Sequence, residues 1–181
     1  MTAFAASARL RRFSAVMAVA TSIGMVLIAG LMIAAFFVPG WLHNLLLARL
    51  GEAGRELAMT PLHMATAAAV IAVPVGVLLL GLWQARALFG DFAAGRVFTL
   101  TSARRLRNFA ACVLAQAVLG PLSSTALLLA FTFDNPPGRR QIAIALSTND
   151  YLALIVGGVL LAVAWVMVEA TRIADEHAAF V

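Results

Sequence analysis

Four stretches of this chain run for eighteen residues or more without a charged side chain: 14–38, 61–83, 109–133 and 151–168. A helix needs about 20 mostly apolar residues to cross a bilayer, so each stretch is long enough to span. The strands of a membrane β-barrel would instead alternate apolar and polar residues over about ten positions. Nothing in these stretches alternates, and the pattern predicts four transmembrane helices in a single domain covering 1–181. The punctuation agrees. Pro39-Gly40 stops the first run, Pro61 fits a first helical turn behind Thr60 as N-cap, and Asp134-Asn135-Pro136-Pro137-Gly138 ends the third.

The polar stretches between the runs are short, and two of them carry a pattern of their own. In residues 84–94, Ala85, Leu88, Phe89 and Phe92 cluster on one side of a helical wheel, with Arg86, Gly90, Asp91 and Ala94 on the other. This predicts a short amphipathic helix lying along the membrane surface between the second and third spans. Gly95 then supplies the left-handed residue that stops it, and Thr99 or Thr101 caps the next helix. The loop 41–57 places Trp41, Leu42, Leu45, Leu46 and Leu50 near one face and reads as a second interfacial helix.

Composition fixes the solvent. At 63% hydrophobic and 12% charged, the chain has too few polar residues to cover a water-exposed surface, since soluble domains are about a quarter charged. The net charge of +5 and pI near 11.3 could belong to a nucleic-acid binder. However, all thirteen basic residues are arginine and most flank the apolar runs, which is how membrane proteins carry their charge. No direct nucleic-acid binding is expected. The first run follows Arg9, Arg11 and Arg12, yet its 25 uncharged residues exceed the roughly 7–15 of a cleaved signal peptide; it reads as a retained anchor. With the N-terminus inside, nine arginines face the cytoplasm and four face out. The bias predicts a multi-pass protein of the cytoplasmic membrane with both termini inside.

Candidate chemistry is sparse. Cys112 is the only cysteine and sits within an apolar run, so it reads as a small apolar residue rather than a reactive thiol. Glu169, Asp175, Glu176 and His177 lack any metal-binding spacing. Glu169 and Arg172, at i,i+3, and Arg172 and Glu176, at i,i+4, instead pair along one helix face. His63 lies near a span boundary, and Gln116, Ser123, Ser124 and Thr125 are expected to make interhelical hydrogen bonds. Ala72-x-x-x-Gly76 and Gly157-Gly158 offer places for close helix approach. No acidic or basic residue falls inside a span, which argues against coupled ion transport. No Gly-x-Ser-x-Gly or phosphate loop occurs, and an enzyme, a metal or a cofactor is not expected.

The charged centre of the chain carries a resemblance. The order "LF..F..G..FT" followed by "RRLRNF", within 86–109, and the tail "WVMVEATRIADEHAAFV", 165–181, resemble a bacterial family of four-span membrane proteins. That family is catalogued as a domain of unknown function, serial number two-nine-seven-five. Gly95, Phe98, Thr99, Leu106 and Arg107 match its central motif, while Ser102 stands where the family pattern has Asn. The resemblance implies a membrane protein encoded beside a small helix-turn-helix transcription regulator. The expectation is therefore a non-enzymatic regulatory or docking protein, whose partner or lipid contacts are Arg104, Arg105, Arg107, Glu169, Arg172 and Glu176. A small oligomeric channel or transporter built around Gln116 is the alternative.

Overall fold

The computed structural model describes residues 8–37, 61–132 and 146–179, apart from the side chains at 35, 36, 61–64, 131, 132 and 174–179. Four helices account for them: α1 (Ala8–Phe37), α2 (Pro61–Ala93), α3 (Leu100–Thr132) and α4 (Thr148–Ala179). Each contains a segment long and apolar enough to cross a membrane. The four expected spans are all present, and the chain is a multi-pass membrane protein. The expected interfacial helix at 41–57, Thr60 and most of the 134–150 loop lie outside the described residues.

Each helix packs on its neighbour in sequence, α1 on α2, α2 on α3 and α3 on α4, and no comparable contact joins α1 to α4 among the described residues. The arrangement is thus an antiparallel row. What makes it possible is visible in one series of buried positions that recurs every seventh residue. In α2 it is Ala67, Pro74, Gly81 and Leu88; in α3, Ala103, Ala110 and Ala117; in α4, Gly157, Ala164 and Thr171, while Ala68, Ala85 and Asp91 of α2 and Ser102, Pro121, Ser123, Leu127 and Leu128 of α3 are buried outside it. A seven-residue repeat keeps one seam facing a partner helix, and small residues along it let backbones approach where lipid offers no hydrophobic drive for association. A Cβ at Gly157 would lie 2.8 Å from Leu114 Cγ, and one at Gly81 would lie 3.0 Å from Cys112 Cβ. Gly76 and Gly158 have open space instead, so of the small-residue pairs expected to bring helices together only Gly157 does so.

The outward faces are apolar. Val16, Val19, Val26 and Leu27 on α1 and Val159, Trp165 and Val166 on α4 are exposed. That would be a liability in water and is the ordinary lining toward lipid.

One expectation is corrected. Residues 84–93 do not form a separate helix along the membrane surface, because α2 runs unbroken from Pro61 to Ala93. At 33 residues it is about 50 Å long, well beyond the roughly 30 Å of hydrocarbon. Its last turns therefore project past the apolar layer. The wheel was sound in its chemistry, for Ala85 and Leu88 are buried. What covers that face is protein: α3 starts at Leu100 and is equally long, so the two extensions pack on each other. Nothing between Trp83 and Gly95 breaks a helix, so the chain had no reason to bend.

Candidate functional site

The α2–α3 turn is built by closing every open backbone group at the end of α2. A helix leaves its last four carbonyls without intrahelical partners. Here Ala94 N–H donates to Gly90 O (3.1 Å), Gly95 N–H to Phe92 O (3.0 Å) and Arg96 N–H to Asp91 O (2.9 Å). The last two define a Schellman motif, which requires a left-handed residue at the position Gly95 occupies with φ of +81°. The fourth carbonyl, Ala93 O, accepts 3.0 Å from Arg11 Nε of α1. Across the turn Thr99 caps α3, its Oγ1 accepting from Ser102 N–H at 3.1 Å. Ser102 Oγ donates back to Arg96 O at 2.9 Å. Gly95 and Thr99 thus perform the roles expected of them, and Ser102 performs a structural one.

Asp91 is the centre of this turn. Its side chain is 6% exposed and takes Arg96 Nη2 at 2.8 Å and Arg105 Nη1 at 2.5 Å on its two oxygens. Arg105 Nη1 also donates to Ala87 O at 2.9 Å. A Schellman motif commonly brings an apolar contact between its flanking residues; an ion pair, Asp91 to Arg96, stands in that place here. Arg86, further back on α2, donates from Nε to Ser22 Oγ of α1 at 2.8 Å. The arginines of this end therefore divide into two sets. Arg11, Arg86, Arg96 and Arg105 are tied to the protein, whereas Arg9, Arg12, Arg104 and Arg107 are exposed and make no ion pair among the described residues.

The expected contact residues follow the same division. Arg104 and Arg107 face outward, and Arg105 is engaged with α2. Glu169 and Arg172 pair at 2.5 Å on an exposed face of α4, at the spacing foreseen. Glu176 lies further along α4, and its side chain is among those not described, as is that of His177. Asp91 is the one acidic residue among the five arginines of 86–109, but sequence reasoning missed its partners. Arg105 is fourteen residues away, and only the antiparallel register across Gly95 brings the two together.

Gln116 and the hydroxyls at 123–125 are committed to structure. Gln116 Nε2 donates to Pro74 O at 2.7 Å, an interhelical bond of the expected kind. The three hydroxyls at 123–125 are different: Ser123 and Ser124 donate to Gly120 O and Thr125 to Pro121 O, all within α3. The expectation of interhelical bonds is corrected for Ser123 and Ser124. Short hydroxyl side chains in a helix reach the carbonyl three or four residues back more readily than a neighbouring helix. At the start of α4, Ser147 and Asp150 form a reciprocal capping box, with Ser147 N–H on Asp150 Oδ2 at 2.8 Å and Asp150 N–H on Ser147 Oγ at 3.2 Å. The bare Gly120 makes room for that carboxylate, since a Cβ there would overlap Asp150 Oδ1.

Among known proteins, the family described as Protein of unknown function (DUF2975) matches residues 67–181. The match begins inside α2 and takes in the turn, α3 and α4. No curated protein and no solved structure matches the chain.

Proposed function

This chain belongs to the DUF2975 family, and from that membership we propose a non-enzymatic role as a membrane-embedded docking or regulatory protein. Its working surface is the arginine-rich end of the row, which we orient toward the cytoplasm because nine of the thirteen arginines lie there. The observation that carries the reading is the division among those arginines. The turn is already braced by Asp91 and the backbone, yet Arg104 and Arg107 remain exposed on the first turns of α3 without ion partners among the described residues. The exposed Glu169–Arg172 pair of α4 adds a polar surface at the same end. The partner that fits is a cytoplasmic protein with an acidic face, and the family's implied neighbour, a small helix-turn-helix regulator, is the candidate.

The test is co-purification from native-host membranes of the full chain and of an Arg104→Glu, Arg107→Glu variant. Seven cytoplasmic arginines would still outnumber the four outside, so insertion persists. Wild type is expected to recover a specific cytoplasmic protein that the variant loses by at least tenfold. Equal recovery by both, or no specific protein with wild type, overturns the reading.

A further inference from the structure

Helix α1 lies outside the family match, which starts at residue 67, and it carries a surface that the turn does not explain. Val16, Val19, Ala20 and Ile23, with Ala15, all on the outer face of α1, line a shallow, open apolar groove of about 440 Å³. Ala15 also lines a second groove, of about 320 Å³, whose other walls include Arg11, Arg12 and Ala93. The two grooves meet at Ala15 and form one surface that is basic at the helix end and apolar below.

We propose that this surface binds one anionic phospholipid, its phosphate at Arg11 and Arg12 and an acyl chain along Val16 to Ile23. Three observations fit that occupant. From Arg12 to Ile23 the groove descends eleven residues of helix, about 16 Å, which matches one leaflet of a roughly 30 Å hydrocarbon layer. Arg11 lines the mouth, and its bond through Nε to Ala93 O leaves two terminal nitrogens as donors of the kind that suits a phosphate. Arg12 is exposed and makes no ion pair among the described residues. The charge at the mouth thus complements a headgroup, and the uncharged floor complements a chain. The proposal is independent of the docking role, which uses α3 and α4.

Native mass spectrometry of the detergent-purified full chain tests it, with phosphatidylglycerol, phosphatidylcholine of the same chains, and inorganic phosphate as probes. Wild type is expected to retain one phosphatidylglycerol at concentrations where phosphatidylcholine is lost, and excess inorganic phosphate does not displace it. Arg12→Gln lowers occupancy about fivefold, the contribution of one basic residue at an anionic surface. Val19→Trp fills the groove and removes retention with both arginines intact. Arg9→Gln makes the same charge change off the groove, and Val163→Trp adds the same bulk to the exposed face of α4; both retain the lipid. Residues 12 and 19 are exposed, so the row itself survives these changes, and an unchanged melting temperature checks that it does. Equal retention of phosphatidylcholine, an Arg9→Gln loss equal to that of Arg12→Gln, or an unaffected Val19→Trp overturns the proposal. So does a lipid-free dimer, which would assign the groove to a second copy.

Discussion

The α2–α3 pair is held together in two different ways along its length. At the arginine-rich turn the contacts are directional: Asp91 meets Arg96 and Arg105, and Ser102 closes on Arg96 O. Mid-span the contacts are volumetric, with Gly81 against Cys112 and the Gln116–Pro74 bond as a polar link. The turn projects beyond the apolar layer, where water competes for every polar group, so only a network that satisfies its members completely holds one geometry. Within lipid, association rests on close packing, and small residues do more than polar ones. The two regions should therefore fail to different kinds of substitution: removal of a charge in the first, addition of volume in the second.

The largest effect is expected at Asp91. Asp91→Asn leaves Arg105 and Arg96 facing a neutral group. Removing one partner of a fully buried pair costs about 3–5 kcal/mol. Arg105 is one-third exposed, so solvent screens part of that loss and about 2 kcal/mol is expected. The chain's single cysteine supplies the readout. Cys112 packs against Gly81, so a thiol-reactive fluorophore reports opening of the α2–α3 seam as detergent-solubilised protein is heated. Asp91→Asn with Arg105→Gln should regain at least half of the loss, because the second change removes the orphaned charge. Melting of the single variant with wild type would show that the turn is not held by this pair.

The next effect concerns volume and has a built-in control. Gly157→Ala places a methyl 2.8 Å from Leu114 Cγ and 3.0 Å from its backbone nitrogen. Overpacking of this kind costs about 1–3 kcal/mol. Gly158→Ala meets nothing within 4 Å, and helix propensity makes it neutral or stabilising by up to about 1 kcal/mol. Thermal unfolding should thus shift in opposite directions for adjacent glycines. A common direction would mean that the α3–α4 seam is looser than the volumetric account requires. The smallest effect is expected at Gln116→Leu, which loses one interhelical bond worth on average about 0.6 kcal/mol. A loss approaching that of Asp91→Asn would erase the distinction between the two regions.

How much of this was legible in the sequence depends on whether a feature is local. The four spans follow from run length, and Gly95 and Thr99 from the turn and cap chemistry of their own neighbourhoods. The amphipathic face at 85, 88 and 92 was legible too, but a wheel shows only that a face is apolar, not whether lipid or protein covers it. The extension of α2 followed from the absence of any breaker before Gly95, and the pairing of Asp91 with Arg105 required the register of two helices. The buried seams were hidden for another reason. Ala and Gly fill both faces of these helices, so a hydrophobic pattern cannot distinguish the packed side from the lipid side. The seven-residue recurrence of small residues was the available signal. In the candidate surface, Arg104, Arg105 and Arg107 look alike in sequence, and only the position of Asp91 separates the engaged arginine from the exposed ones.

The row arrangement also governs how the molecule is assembled. Among the described residues, every principal contact joins a helix to the one synthesised just before it, so none of these helices must wait for a distant, later segment to find its place. When α2 leaves the ribosome, α1 is already in the bilayer with Arg11 ready to close on Ala93. The same holds for α3 on α2 and for α4 on α3. Such a chain has low contact order and folds in the direction of translation, each hairpin docking on a finished neighbour as it arrives.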